Sequence, residues 1–236
     1  MAEKNLEEMR EAVEAIREKM AAAAREAGRD PAEVQLCAAC KTRTADTVAA
    51  SAALAIDVFG ENHVQELCAN FDAGAYCGKP SHFIGHLQTN KIKKVLGRAS
   101  LIQSVDSEHL LTAIEKEAAK AGIVQDVLLE VNIGGEEAKS GFAPEELAQA
   151  AAYAKELAHV RVRGLMTIPP VAVEKGGSIP YFEKVYRLFV DISREMYDNK
   201  WEYISMGMSD DWREAVPLGA TIVRVGRAIF SESYQE

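Results

Sequence analysis

Eight short apolar runs, separated by segments with helical periodicity, constrain the fold of this chain more than any other feature. They occupy positions 34–40, 56–60, 82–87, 101–105, 126–132, 160–168, 203–207 and 221–226. Most are rich in Val, Ile, Leu or Phe and end at polar residues or Gly, which is typical of buried parallel strands. Eight strand-and-helix units in 236 residues predict an α/β fold, a single TIM-type (β/α)8 barrel.

Two of the intervening segments, 107–122 and 143–158, have clear helical patterns. Pro144 fits the first turn of the second helix. The main alternative to a barrel is a doubly wound open sheet. No Gly-x-Gly-x-x-Gly turn follows the first apolar run, which makes that alternative less favoured.

An additional amphipathic helix is predicted at the start of the chain, over residues 1–28. Its apolar residues recur every three or four positions and form one stripe. They are Leu6, Met9, Val13, Ile16, Met20, Ala24 and Ala27. Gly28 is a natural stop for this helix. We predict that helix and barrel together form one domain over residues 1–236.

Charge and composition exclude several classes of partner. The net charge of −9 gives no general attraction to nucleic acid or to an anionic membrane. No apolar run reaches the length of a membrane span, and the acid-rich first residues do not resemble a targeting segment. We therefore predict a cytoplasmic protein whose four cysteines are thiols.

In a barrel of this type, ligand-binding residues collect at the carboxyl ends of the strands. Ser205 lies within the seventh run, Gly207 ends that run, and Gly226 ends the eighth. The loops after these two strands commonly hold a phosphate group through backbone N–H groups. The same residues would also suit ordinary turns, so the pattern alone leaves phosphate binding open.

Two basic residues stand out in or beside the predicted strands. Lys41 follows the first run directly, where loss of water would favour a neutral amine able to attack an aldehyde. The alternative is a surface lysine just beyond the strand end. Arg224 lies inside the eighth run and needs an acceptor, such as the carboxylate of Glu130.

No metal site is predicted. Cys37 and Cys40 are three apart on one strand, so they point to opposite faces and read as small core residues. His82 and His86 lie on a strand that runs into a loop, without a nearby carboxylate. We expect His82 to be structural and His86 to line a pocket.

The motifs of this chain resemble the pyridoxal phosphate homeostasis protein family. They are Lys-Thr-Arg (41–43), Phe-Gly-Glu-Asn (59–62), His-Phe-Ile-Gly-His-Leu-Gln-Thr-Asn-Lys (82–91), Glu-Val-Asn-Ile-Gly-Gly-Glu-Glu-Ala-Lys-Ser-Gly (130–141), Gly-Leu-Met-Thr-Ile-Pro-Pro (164–170), Ser-Met-Gly-Met-Ser (205–209) and Val-Arg-Val-Gly-Arg-Ala-Ile-Phe (223–230). The resemblance covers nearly the whole chain in the right order. It implies a fold similar to the N-terminal barrel of alanine racemase.

The resemblance implies that Lys41 carries pyridoxal 5′-phosphate as a Schiff base. It also implies that Arg224 faces the pyridine nitrogen. An arginine cannot accept the ring proton, so the nitrogen would stay unprotonated and the cofactor would be a weak electron sink. Such chemistry suits a carrier better than an enzyme with high carbanion demand.

The remaining cofactor-binding residues are carried over by motif position. Ser205, Gly207 and Gly226 would bind the phosphate. Asn62 and Met208 would line the pocket of the ring. These five residues complete the predicted site.

The resemblance implies a non-enzymatic carrier in vitamin B6 homeostasis, a monomer whose partners include pyridoxal-phosphate-dependent apoenzymes. The alternative is an amino-acid racemase, which would need a second base besides Lys41. In alanine racemases of similar fold this base is a Tyr from an added domain, for which the six residues after Phe230 leave no room. Tyr234, expected on a frayed tail, is a poor substitute. A class I aldolase is a weaker alternative, because its motif order differs.

Overall fold

The computed structural model describes residues 3–174 and 176–234. Within them, eight parallel strands form one closed barrel in which each strand pairs with the next and β8 pairs with β1. The strands are β1 (Gln35–Ala39), β2 (Val58–Glu61), β3 (Ser81–Phe83), β4 (Leu101–Val105), β5 (Gln125–Val131), β6 (Val160–Thr167), β7 (Tyr203–Met208) and β8 (Ile222–Val225). The predicted (β/α)8 barrel is confirmed.

Helices surround the barrel and connect its strands. In the described part of the chain they are α1 (Leu6–Glu26), α2 (Ala45–Ser51), α3 (Val64–Asp72), α4 (Ile92–Val95), α5 (Glu108–Ala121), α6 (Leu147–Lys155), α7 (Ile179–Met196), α8 (Trp212–Ala215) and α9 (Arg227–Phe230). The predicted bounds of α5 hold, because the Ser107 side chain caps its start and Gly122, with a φ of 66°, ends it. Among the described residues, no helix is long and apolar enough to cross a membrane.

The prediction for Pro144 was wrong. Helix α6 begins only at Leu147, and residues 143–146 form a separate turn. In that turn the Glu146 backbone N–H donates to the Ala143 carbonyl at 2.9 Å, and the Glu146 carboxylate accepts from the Ala143 N–H at 3.0 Å. Because both ends of the turn are already satisfied, the helix starts after it.

The third strand is shorter than its apolar run. The run was predicted over 82–87, whereas β3 ends at Phe83. The chain leaves the sheet near Gly85, whose backbone packs directly on that of Asn62. A Cβ atom at position 85 would lie 2.0 Å from the Asn62 carbonyl oxygen. Ile84 and Leu87, beyond Phe83, are buried although they lie outside the strand.

Helix α1 (Leu6–Glu26) corresponds to the predicted leading helix, of which residues 1 and 2 lie outside the described part. The buried residues of its stripe are Met9, Val13, Ile16, Met20 and Ala24. Leu6 is 40% exposed, and Ala27 lies just past the helix end. The helix therefore docks on the barrel through about four turns, from Met9 to Ala24.

Replacing Asn5 with alanine should lower the free energy of unfolding by about 1 kcal/mol. The Asn5 side chain accepts from the N–H groups of Glu7 and Glu8, both at 3.0 Å, and the Glu8 carboxylate accepts from the Asn5 N–H at 2.7 Å. Urea unfolding measures the change, with Glu11→Ala on the exposed face of α1 as control. Equal stabilities of the two variants would contradict a capping role.

The barrel interior contains both apolar and polar side chains. The apolar cluster inside the barrel consists of Cys37, Val58, Leu101, Leu128, Met166 and Ile222. Cys40 belongs instead to the large cluster between strands and helices, so the two thiols lie on opposite faces of β1 as predicted. Burial raises the pKa of Cys37 to about 12, which keeps this thiol neutral.

Candidate functional site

The predicted site residues come together in one sector of the barrel, because β7, β8, β1 and β2 are neighbours. The residues at the rim of this sector are Lys41, Asn62, Gly207, Met208 and Gly226. Ser205 and Arg224 lie deeper, within their strands, and are buried. The sector thus has an open rim of loops above a buried polar floor.

Lys41 lies two residues beyond the end of β1 and is exposed. The expectation that burial removes water from its amine is not met, because β1 ends at Ala39. Lys41 therefore belongs to the loop between β1 and α2. Its amine is accessible to a small molecule arriving from solvent.

The residue after this lysine has an unfavourable backbone conformation. Thr42 has a φ of 65°, which a β-branched residue rarely adopts and which costs about 1–3 kcal/mol. Its N–H donates to Glu66 Oε1 at 3.1 Å, and its Oγ accepts from Arg43 Nη2 at 3.0 Å. Arg43 in turn forms an ion pair of 2.8 Å with Glu3. These contacts fix the conformation of the loop that carries Lys41.

Arg224 is held inside the barrel by two neutral acceptors. Its Nη1 donates to Ser205 Oγ at 2.6 Å and its Nη2 to the Thr167 carbonyl at 2.9 Å. Within the described residues, no ion pair of 4.0 Å or less joins it to Glu130, so the suggested pairing is not formed. Burial lowers the pKa of Arg224, partly offset by surrounding acidic groups that include Glu130. Burial and the nearby Asp106 raise the pKa of Glu130 to about 7.

A chain of hydrogen bonds continues from Arg224 across the barrel. The Ser205 hydroxyl donates to Gln103 Oε1 at 2.6 Å, and Gln103 Nε2 lies 2.8 Å from His82 Nδ1. Burial lowers the pKa of His82 to about 3, so its ring is neutral. His82 is structural, as expected. The role of Gln103 was missed, and its one sequence signal is an amide inside the buried run 101–105.

The loops after β7 and β8 leave backbone donors free for an anion. Gly207 has a φ of 91°, and a Cβ there would lie 2.7 Å from the Ala215 Cβ. A Cβ at Gly226 would lie 2.9 Å from the Ala39 carbonyl oxygen. Among residues 3–174 and 176–234, no acceptor receives the N–H groups of Ser209 and Gly226. A phosphate fits this donor set, because backbone N–H groups are its usual ligands in such loops.

Asn62 borders a cavity of about 320 Å³ at the mouth of the barrel. Gly85, His86 and Glu130 also line it. His86 Nδ1 lies 3.2 Å from the Asp106 carboxylate. The expectation that His86 lines a pocket is therefore confirmed. In the described part of the chain, no group of three or more acidic, His or Cys side chains is arranged to hold a metal.

Beneath the Lys41 loop lies a buried carboxylate. Glu61 Oε1 accepts from Asn70 Nδ2 at 2.7 Å and from the Tyr76 hydroxyl at 3.0 Å. Its Oε2 is buried without a partner among the described residues. Burial is the main cause that raises the pKa of Glu61 to about 7, and Glu66 adds to it. Glu61 thus joins the end of β2 to Asn70 in α3 and to Tyr76.

The alanine racemase N-terminal domain model matches residues 12–233 of this chain. The fold and the site thus define a barrel of the alanine racemase N-terminal type. Among curated proteins, the pyridoxal phosphate homeostasis protein of Aquifex aeolicus is 42% identical over 217 residues, which cover 92% of this chain and 95% of that protein. The chain belongs to the pyridoxal phosphate homeostasis protein family, as its motifs indicated.

Two solved structures are similar to this chain over most of its length. The crystal structure of an unknown protein from Bifidobacterium adolescentis is 35% identical, with a TM-score of 0.89 and 95% of each chain covered. The structure of PipY from Synechococcus elongatus, with pyridoxal phosphate bound, is 29% identical, with a TM-score of 0.78. It covers 92% of this chain and 100% of PipY.

Proposed function

We propose that this protein binds pyridoxal 5′-phosphate through a Schiff base to Lys41 and serves vitamin B6 homeostasis as a carrier or reservoir. The observation that carries the proposal is the joint position of an exposed lysine and two loops with free backbone N–H groups in one sector of the barrel. The homeostasis proteins to which the chain is similar, and the ligand of PipY, support the choice of cofactor. Bound pyridoxal phosphate would supply an aldehyde carbon that is electrophilic toward amines.

The chain's own residues fit this cofactor by charge and by shape. The free N–H groups of Ser209 and Gly226 suit its phosphate. Gly207 and Gly226 let the two loops pack closely on Ala215 and Ala39, which holds these donors in place. Arg224 supplies only donors and suits the pyridine nitrogen. We further infer that Asn62 and Met208 line the ring, since both lie at the same rim.

The Ser205 hydroxyl has a different position from the one its predicted phosphate role requires. It is bonded to Arg224 and Gln103 inside the barrel. Its contribution to the phosphate would therefore come through the backbone of the loop that follows. We retain Ser205 in the proposed site as the residue that connects the buried polar side chains to the loop after β7.

A carrier is favoured over the alternative racemase by the state of Tyr234. This residue is not on a frayed tail, since its hydroxyl donates to the Ser209 carbonyl at 2.7 Å and its ring packs against the core. A hydroxyl committed to that carbonyl is poorly placed to act as a second base. We propose transfer of the cofactor by a monomer to pyridoxal-phosphate-dependent apoenzymes, without strong turnover.

Replacing Lys41 with alanine or arginine should abolish covalent attachment of the cofactor. The wild type mixed with pyridoxal phosphate should show a visible absorbance band that borohydride bleaches, with the added mass located on Lys41 by peptide mass spectrometry. Lys93→Ala, at an exposed lysine away from the rim, is the matched control and should behave as wild type. A wild type without the band, or with the added mass on another lysine, would refute the proposal. Rapid racemisation of alanine by the loaded wild type would favour the alternative.

A further inference from the structure

The polar chain across the barrel has a fixed direction. Gln103 uses its carbonyl to accept from Ser205, so only its NH₂ group can contact His82. His82 Nδ1 is therefore an acceptor, and the ring proton is on Nε2. Ser205, which donates to Gln103, accepts from Arg224. Every donor between Arg224 and His82 thus points away from the arginine.

This direction links two opposite sides of the barrel. Arg224 and Ser205 belong to β8 and β7, whereas Gln103 and His82 belong to β4 and β3. All four side chains are buried, with 6% exposure or less. Hydrogen bonds in a chain of this kind polarise one another and strengthen in a medium of low dielectric constant. Strands β3 and β4, on the far side of the barrel, are thereby connected to the Arg224 guanidinium.

We propose that Gln103 and His82 are positioning residues that hold Arg224, through Ser205, in the orientation needed to meet the cofactor ring. The proposal rests on the proposed function and goes beyond it by naming the residues that set one of its contacts. Two of the five guanidinium N–H bonds are used by Ser205 and Thr167. The orientation of the other three N–H bonds follows from these two anchors. Of the two, only the Ser205 hydroxyl is itself held by the hydrogen-bond chain, through Gln103.

A role confined to filling the core would need only that each polar atom find some partner. The arrangement is more specific, because each group has one fixed role. The Ser205 hydroxyl accepts from Arg224, the Gln103 carbonyl accepts from Ser205, and the His82 imidazole accepts from the Gln103 amide. Loss of the Gln103 amide would release the Ser205 hydroxyl to rotate. Arg224 would then keep only the Thr167 carbonyl and could turn about it.

The first test is Gln103→Leu, which keeps the approximate volume and removes both hydrogen bonds. Its affinity for pyridoxal phosphate should fall about tenfold, the usual scale for a lost hydrogen bond to a charged group. Gln125→Leu is the matched control: Gln125 is also buried on a strand, but donates only to the Ala99 and Asp126 carbonyls. It should bind within about twofold of wild type.

The second test separates positioning from general loss of stability. Ser205→Ala cuts the chain between Arg224 and Gln103, so adding Gln103→Leu to it should weaken binding by less than about twofold. If the two substitutions weakened binding independently, so that their fold-changes in affinity multiplied, the proposal would be overturned. An affinity of Gln103→Leu equal to that of wild type would overturn it as well. If Gln103→Leu does not fold, Gln103→Met takes its place in both measurements.

The third test needs no cofactor. In the cofactor-free protein, NMR should show His82 as the neutral tautomer with its proton on Nε2, and Gln103→Leu should speed hydrogen exchange of the Arg224 guanidinium. Unchanged exchange would refute the positioning role. This result stands even if the wild type fails to bind pyridoxal phosphate, so failure of the inference is distinguishable from failure of the proposed function.

Discussion

Replacing Gly85 with alanine is expected to lower the free energy of unfolding by about 3 kcal/mol or more. The added Cβ would lie 2.0 Å from the Asn62 carbonyl oxygen and 2.7 Å from its carbon. Both contacts are with backbone, which cannot rotate away as a side chain can. Urea unfolding followed by circular dichroism measures the loss. Because Asn62 belongs to the proposed ring pocket, the variant should also bind pyridoxal phosphate more weakly.

Gly97→Ala is the matched control for this prediction. Gly97 has a φ of 76°, but a Cβ there meets nothing within 4 Å. Its substitution should cost only about 1 kcal/mol, from the conformation of the backbone alone. If Gly85→Ala were as stable as Gly97→Ala, the close approach of the two loops would not exist in solution.

Glu61→Gln is expected to remove a pH-dependent loss of stability of about 2–3 kcal/mol. The pKa of Glu61 is about 7 in the folded protein, above its usual value of 4.5, chiefly because the carboxyl is buried. The folded state therefore binds the proton more tightly than the unfolded state does. Stability from this group is present below pH 4.5 and is lost as the pH rises toward 7.

Urea unfolding at pH 5 and pH 8 is the measurement. The wild type should lose more stability than Glu61→Gln over this interval, while Glu14→Gln, on the exposed face of α1, should lose as much as wild type. Glu130 shares the direction of the shift, with a pKa also near 7, so part of the pH dependence should remain in Glu61→Gln. Identical pH dependence in wild type and Glu61→Gln would show that Glu61 titrates normally.

The sequence was sufficient to predict the barrel because each strand is a separate apolar run. It was insufficient for the end of β3, since residues 84 and 87 are as apolar and as buried as a strand but lie beyond it. The stop depends on a contact between Gly85 and Asn62. No local pattern encodes the distance between two loops.

The same limit applies to the site. The positions of Lys41 and Gly226 follow from strand ends, which local patterns predict well. The hydrogen-bond chain from Arg224 through Ser205 does not, because Ser205 and Gln103 are 102 positions apart in the sequence and meet only when the barrel closes. Burial was also misjudged at Lys41, since the end of a strand and the edge of the core need not coincide.

The ion pair between Glu3 and Arg43 makes the start of the chain part of the lysine loop. Glu3 also accepts from the Thr47 hydroxyl at 2.9 Å, at the beginning of α2, so it spans the loop from outside. A force on the segment before α1, from a fused tag or a docked protein, is therefore transmitted over two side chains to the strained Thr42. Glu3 is thus mechanically coupled to the residue beside Lys41.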